Sequence, residues 1–590
     1  MKVIRHTLFA LALSISAAWA QTTEGRILGA VTDSSQGAVA AARVTITNLE
    51  TNRTREAESG ADGAYLISNL PVGSYQVAVE MPGFKRFVQR PIVLTVDQTA
   101  RVDAMLQPGD VAESVTIEAG APLVDTERSG VGQVVNNRTI VELPLNGRNF
   151  IRLGSLIPGT TRGAPGNGTI RSRQGGEALT ANGQRADHNN YMLDGVDNNE
   201  TNLGLAVILP SIDAIQEFKV QTANYSAEFG RGAGAVVNLV IKSGGNQPHG
   251  TVYEFLRNNV FDARNTFAPL KNPLRRNQFG FTLGAPVFVP KVYDGRNRTF
   301  FFFNYEGLRE RRGASGGFIV PTAAQRSGDF TGQPLIYDPL MFDATGARAP
   351  FPGNRIPESR INAIAKRVLN YYPSPNNTDP ARNYIEQFSN PTDGDQWHLR
   401  LDHNVTAKDT LMIRLSRPNS DQVNKSIAFN GDSTANRPRG AVAGYTRLIS
   451  ARMVNELRFG FQRYDFNFAP EGLGTDLVTP LGLPVLGASA DILRFPSFAI
   501  RNFASLGGNN TLPVIRAENN YQLIDNLSWY LGRHSIKVGG DARWFELNNF
   551  QPQTVSGSYT FNGPFTGVRG SQYANGLPDL LLGRRPPATV

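Results

Sequence analysis

The sequence predicts a mainly β chain in three parts: a small N-terminal β-sandwich, an α+β middle region and a partial antiparallel transmembrane β-barrel. Three observations carry that expectation. Apolar residues alternate with polar residues or glycine through most of the 590 residues, as half-buried strands require. Turn signals built on Gly, Pro, Asn and Asp separate these runs. After the leader, no window holds the roughly 18 uninterrupted apolar residues of a membrane helix. Any integral membrane role must therefore use strands, whose alternation a mean hydropathy of −0.27 conceals.

The leader, residues 1–20, combines Lys2 and Arg5, an apolar stretch from Leu8 and the A-x-A site Ala18-Trp19-Ala20. It is read as a secretory signal peptide, with the mature chain starting near Gln21. Cysteine is absent, which removes disulfides, thiolate metal sites and cysteine nucleophiles together. The formal charge of +9 is spread singly among aromatics and acids, without the basic runs of a phosphate-tracking surface, so nucleic acid is not an expected partner.

Residues 24–108 read as about seven short strands of a sandwich. In ARVTITNL the residues Val44, Ile46 and Leu49 nearly keep one face, and Tyr75, Val77 and Val79 keep one strictly. Asp62-Gly63 and Pro71-Val72-Gly73 are tight turns, and Tyr65 and Tyr75 stand where aromatics cap a core. The stretch DGAYLISNLPVGSYQVAVEMPGF resembles the signature of carboxypeptidase-regulatory-like domains, which implies a transthyretin-like sandwich. That fold is grouped with carbohydrate-binding sandwiches, but no exposed aromatic platform stands out, and a rigid spacer is the expected role.

Residues 110–248 follow. Glu113, Ser114, Val115, Thr116, Ile117, Glu118 and Ala119 form an extended, alternating segment of the kind that pairs with a partner's sheet edge; it reads equally as an ordinary linker strand. IVELPLNGRNFIRLGSLIPGT (140–160) places a turn at Asn146-Gly147 before a short helix. NYMLDGVDN puts Tyr191 and Leu193 on one strand face ending at Asp194-Gly195. Asp194, Asp197, Asn198 and Asn199 lack the spacing and terminal Glu of a calcium loop and are read as a turn, so no metal is expected.

Gly230, Gly232 and Gly234 invite comparison with a phosphate cradle, but that needs a strand before the glycines and a helix after them. AVVNLVIKSGG instead continues as a strand with Val237, Leu239 and Ile241 on one face, closing on Lys242, Gly244 and Gly245. These glycines and Lys242 are expected to mark a junction between the middle region and the following strands.

From residue 249 to 590, strands of about ten residues alternate between long loops. Phe279, Phe281 and Leu283 oppose Gln278 and Thr282; Trp397, Leu399 and Leu401 oppose His398, Arg400 and Asp402. Leu411, Ile413 and Leu415 oppose Arg414 and Ser416, which makes one hairpin with the preceding strand. Leu457, Phe459 and Phe461 oppose Arg458 and Gln462, and Ile536, Val538 and Trp544 oppose Lys537, Asp541 and Arg543. Apolar faces outward and charged faces inward are those of an outer-membrane barrel with a polar lumen. Phe300, Phe301, Phe302 and Phe303 are expected to be membrane-facing and girdle aromatics. At roughly 25 residues per strand with its loop, this region supplies about 13 or 14 strands, against about 22 in a plugged transporter, so the barrel is expected to be incomplete.

In this order, the motifs at 140–160, 181–199 and 211–250 after a regulatory-like sandwich resemble the plug of Oar-like TonB-dependent outer-membrane receptors. The resemblance implies a plug inside a barrel, a sandwich in the periplasm, and residues 113–119 as the TonB-coupling segment. It also implies outer-membrane lipid, the TonB energy-coupling complex and an extracellular ligand as partners. The expected function is energised uptake of a siderophore, carbohydrate or other nutrient. The alternative is a structural or adhesive surface protein without active transport. No cofactor is expected, and no Ser-His-Asp or paired-carboxylate constellation points to an enzyme.

Overall fold

A computed structural model of the chain describes residues 24–118, 131–162, 179–264, 266, 271–450, 452–485, 489–531, 534–568 and 575–584. The leader and Ala119 lie outside these residues.

The N-terminal unit contains β1 (Gly25–Asp33), β2 (Arg43–Asn48), β3 (Thr54–Glu58), β4 (Ala64–Leu70), β5 (Gly73–Glu80), β6 (Arg86–Leu94), β7 (Thr99–Arg101), β8 (Ala104–Leu106) and β9 (Ser114–Glu118). One sheet joins β4, β1, β7 and β8, and the other runs β3-β2-β5-β6-β9. Period-two side chains from both sheets, including Ile27, Val44, Ile46, Val77 and Val79, close one apolar core. Leu49 falls past the end of β2 and is 40% exposed, so the predicted face stops at Ile46. Tyr65 and Tyr75 are buried, with their hydroxyls donating to the carbonyls of Val102 and Pro71, each at 2.6 Å. A buried phenol needs such an acceptor, and here each one also ties a strand to a loop.

The middle region contributes β10 (Val131–Asn136), β11 (Thr160–Arg162), β12 (Leu179–Ala181), β13 (Asn190–Leu193), β14 (Val196–Asp197), β15 (Ile215–Ala223) and β16 (Val236–Ile241). Five of them form a mixed sheet in the order β10-β15-β16-β13-β14. Short helices at Asn137–Glu142 and Ile151–Gly154 cover it, the first capped by the Asn136 side chain. Tyr191, Leu193, Val237, Leu239 and Ile241 enter one core, as their alternation predicts.

The remaining strands build a wall. They are β17 (His249–Asn258), β18 (Leu274–Pro286), the small pair β19 (Phe288–Val289) and β20 (Tyr293–Asp294), β21 (Thr299–Phe318), the hairpin β22 (Tyr337–Phe342) and β23 (Arg348–Pro350), β24 (Tyr384–Asn404), β25 (Asp409–Asn424), β26 (Asp432–Asn436), β27 (Arg439–Ser450), β28 (Met453–Pro470), β29 (Ser497–Ile500), β30 (Val514–Leu531), β31 (His534–Phe550) and β32 (Ser558–Phe561). Ten of these make one antiparallel sheet, β17-β18-β21-β24-β25-β26/β27-β28-β30-β31. Strands β26 and β27 share one position between β25 and β28, divided near Pro438, which has no N–H to donate.

Leu411, Ile413 and Leu415 are 38–44% exposed while Arg414 and Ser416 are 2% and 3%, so the wall turns its apolar face outward and its polar face onto the middle region. The four phenylalanines divide between these faces because a strand sends successive side chains to opposite sides. Phe301 and Phe303 point outward, Phe303 against Phe281, but Phe300 and Phe302 are buried inside, where Phe302 joins the core of the middle region with Tyr464 and Phe466. The girdle expectation therefore fails for Phe300 and Phe302.

Ten wall strands, rather than 13 or 14, occupy the described residues. The difference lies in the connections. That at 405–408 is tight, whereas the described residues of 319–383 and 471–513 form long connections that fold into a separate cap. Val320, Phe330, Phe351, Val368, Leu481, Phe495 and Leu580 share its core. Residues allotted by arithmetic to strands are spent on that cap.

Candidate functional site

Inside the wall, at its long-loop end, lies a cavity of about 630 Å³. Its floor is formed by two loops of the middle region, Gly147 to Phe150 and Val207 to Ser211, and its sides by β18, β21, β24, β25 and β26. The turn predicted at Asn146-Gly147 explains the floor: Gly147 and Arg148 take φ of +79° and +50°, which swings the Arg148 side chain upward into the wall. Its guanidinium pairs with Asp213, lies 3.7 Å from Glu306 and stacks over Phe255 at 4.1 Å. Glu306 is held in place by Tyr253 at 3.0 Å and Gln396 at 2.8 Å. Arg276 pairs with Glu310 beside it.

The lining is dominated by amides and hydroxyls, among them Gln278, Asn390, Thr392, Asn419, Gln422 and Asn436. Arg148, Arg276 and Arg312 balance Glu306, Glu310 and Asp395, so the lining carries no net charge. Its chemistry is that of hydrogen bonding to a polar guest, with little field to select an ion.

Below the cavity, the segment from Asp194 to Thr201 is bolted to the wall by buried charges. Asp194 lies 2.9 Å from Arg414 and 3.6 Å from Arg400; Asp197 lies 3.1 Å from Arg543 and 3.4 Å from Arg231; Glu200 lies 3.3 Å from Arg516. Asn520 donates to Asp197 at 2.8 Å, and the Gln522 side chain accepts from the Asp197 N–H at 2.8 Å. The wall arginines come from β24, β25, β30 and β31, so one short acidic segment ties both sides of the sheet. The sequence reading took Asp194 and Asp197 only as turn residues. The turn is there, at Asp194 and Gly195, but so is a set of acids spaced by three whose partners are the single arginines on inward strand faces.

At the short-turn end, the sandwich sits against both other parts. The Val96 N–H donates to Glu217 on β15, and Lys219 lies 3.4 Å from Asp97. The Asn246 N–H donates to the Glu50 carbonyl at 2.9 Å, and Asn52 reaches Asn297 at 3.2 Å. Burial pushes the Glu217 carboxyl up to about 7, with the Val96 bond and Lys219 opposing the shift.

The junction residues are separated by this architecture. A Cβ on Gly232 would stand 2.0 Å from the His188 carbonyl oxygen, and one on Gly244 2.3 Å from that of Phe301, so both positions need glycine for close backbone approach. Gly234 packs on Asn189, and Gly245 faces Glu50 of the sandwich, but a Cβ on Gly230 would meet nothing. Lys242 is half-buried near Asp213, and its partial burial draws its ammonium down, with Asp213 opposing the shift. Residues Ser114, Val115, Thr116, Ile117 and Glu118 form β9, parallel to β6 on the sandwich edge, with Glu113 just before it.

The outer membrane beta barrel domain family matches residues 240–588, and the carboxypeptidase regulatory-like domain family matches residues 26–107. The TonB-dependent transporter Oar of Myxococcus xanthus is 28% identical over 313 residues, covering 50% of this chain and 28% of Oar. Among solved structures, the outer-membrane transporter YddB of Escherichia coli has a TM-score of 0.45 at 10% identity, over 73% of this chain and 50% of YddB. The ferric enterobactin receptor PfeA of Pseudomonas aeruginosa has a TM-score of 0.39 at 11% identity, over 72% of this chain and 51% of PfeA. The chain thus spans under a third of the curated relative and about half of these solved chains. Matched over more than half of its length by the barrel family, it belongs to the outer-membrane β-barrel domain family and carries a carboxypeptidase regulatory-like domain ahead of the barrel.

Proposed function

We propose that the protein takes up a polar ligand across the outer membrane, with residues 110–248 as a plug that the TonB complex rearranges. In this reading residues 24–108 lie in the periplasm, beneath the short turns, and the wall from residue 249 opens outward through the long loops and their cap. The observation that carries it is the cavity bounded jointly by plug loops and wall: a guest held there touches the element that must move. Of a siderophore, a carbohydrate or another nutrient, the charge-balanced, amide-rich lining favours a neutral ligand rich in hydroxyl or amide groups over an anionic one.

Deleting residues 113–119 is expected to abolish energy-dependent accumulation of such a ligand while leaving its binding to whole cells intact. Accumulation measured with and without a protonophore separates the two. Undiminished energy-dependent uptake by the deletion variant would overturn coupling through this segment.

The second reading, an adhesive or structural surface protein, draws on the cap. Loops that share a core of their own present a fixed outer surface. It predicts that removing 113–119 changes nothing, whereas disrupting the cap at Phe495 or Leu580 abolishes surface attachment.

A further inference from the structure

Three neighbouring wall strands offer the cavity the same kind of side chain. Asn390 and Thr392 on β24, Ser420 and Gln422 on β25, and Thr434 and Asn436 on β26 all line it. Gln422 stands opposite both Thr392 and Thr434, and Ser420 stands opposite Asn436. Opposed residues of paired strands share a face, so these six make a lattice with steps of about 4.8 Å across the strands and roughly 6.7 Å along them. Buried polar atoms are almost always hydrogen-bonded. The Thr434 hydroxyl and the Asn436 Oδ1 are exceptions, and so is the Arg148 Nε on the floor, 3.7 Å from Glu306. A hydroxyl, an acceptor and a donor therefore face one cavity with bonds still to make.

A neutral guest can meet such groups with hydroxyls or with amides, and the lining separates the two. A sugar ring carries its hydroxyls on the rim and C–H groups on its faces, and those faces call for an aromatic ring to lie against. Among the described residues of the lining Phe150 is the single aromatic, and it is 2% exposed and packed on Phe218 at 5.6 Å. Amide side chains suit an amide guest better. Asn and Gln hold a C=O and an N–H on one carbon, so one side chain can bond both the N–H and the C=O of one residue in an extended peptide. Along such a peptide those pairs return to the same side every second residue, at the roughly 6.7 Å step of the lattice itself. Pro418 and Asn424 bound the lined part of β25, about 20 Å of strand, which matches an extended guest of about six residues. Because β25 is hydrogen-bonded on both sides, the guest lies over its face and is held by side chains instead of being added as a strand.

Resting on the reading of this cavity as the site of uptake, we propose that its guest is a short extended peptide with uncharged side chains, recognised through its backbone amides. Gln422 and Asn436, one lattice step apart along the strands, bond amides on the underside of the guest. Thr434 adds a single bond, and the Arg148 Nε takes a carbonyl where the guest meets the floor. Such a site tolerates many sequences, because the backbone is what it reads. It disfavours linear sugars by offering no ring to cover their faces, and anionic guests by offering no net positive charge.

The full chain in nanodiscs is titrated calorimetrically with three probes: a pool of acetylated and amidated hexapeptides of alanine, serine, glycine and asparagine, the same pool with every backbone nitrogen methylated, and maltohexaose. Expected results are saturable binding of the first pool, binding roughly tenfold or more weaker after methylation, and none of maltohexaose. Asn436→Leu and Thr434→Val are each expected to weaken binding of the peptide pool by about fivefold to tenfold. The isosteric Thr434→Val should not lower the melting temperature, because its hydroxyl bonds nothing in the free protein, so its lost affinity reports on the guest. Equal binding of the methylated and unmethylated pools, or undiminished peptide binding by both variants, overturns recognition through backbone amides. Maltohexaose bound in place of peptide, and weakened by the same variants, overturns the peptide while leaving the uptake site standing. If none of the probes binds, the cavity is not the site of uptake and both readings fall.

Discussion

Replacing Asp197 with alanine is expected to lower the stability of the plug in its wall by about 3–5 kcal/mol, the range for removing one partner of a buried ion pair. The carboxylate is fully buried and serves Arg543, Arg231 and the side-chain amides of Asn520 and Asn199 at once. Its loss removes the carboxylate partner of Arg231 and one of the two carboxylates paired with Arg543, which keeps Asp541, and takes an acceptor from the buried Asn520 and Asn199 amides, so unmet buried polar groups add to the lost attraction. The readouts are the melting temperature of the detergent-extracted protein and the sensitivity of cells to vancomycin, a hydrophilic antibiotic too large for an intact outer membrane. Asp465→Ala provides the control, because its pairing with Arg463 is 3.9 Å long and half exposed, and such pairs contribute about 0–1 kcal/mol. Equal melting and equal exclusion in the Asp197 and Asp465 variants would show that the acidic segment is no lock.

This lock also shows where sequence reasoning stops. Alternation was enough to place Leu411, Ile413 and Leu415 outside and Arg414 inside, because a strand has only two faces and lipid accepts only one kind. It was not enough to say what Arg414 faces, since Asp194 lies more than two hundred residues earlier and reaches it only after β13 threads the wall. The same holds for the cavity. Arg148 follows a legible turn at Asn146-Gly147, but its contacts with Glu306 and Phe255 depend on the inward register of β21 and on where β17 begins. The cap was illegible for a different reason. Its core residues, such as Phe330, Phe351 and Phe495, are scattered through loop-like sequence without period, so only their assembly reveals a common interior.

The seating of the sandwich on the plug is expected to loosen as pH rises, through Glu217. This carboxyl is buried against the Val96 N–H, with Asp97 and Lys219 alongside, and burial holds it at about 7. In the undocked state water surrounds it and it titrates near the ordinary value of about 4.3. Below that ordinary value Glu217 is protonated in both states and contributes no penalty. Between there and about 7 the undocked state ionises while the docked state keeps its proton, so docking loses free energy with each step in pH; above about 7 both are ionised and the loss is complete. The full difference is about 4 kcal/mol by the usual conversion of about 1.4 kcal/mol per pH unit. Glu24, which burial and the neighbouring Glu456 push in the same direction at the same mouth of the barrel, adds to the effect. The protection of the Val96 to Gln98 amides, taken relative to their intrinsic base-catalysed exchange at each pH, is therefore expected to be greater at pH 5 than at pH 8, and Glu217→Gln, which keeps an acceptor but no titrating proton, should flatten most of that difference in protection. A sandwich released equally at both values would mean that its hold on the plug lies elsewhere, in the neutral contacts of Glu50 with Asn246 and of Asn52 with Asn297.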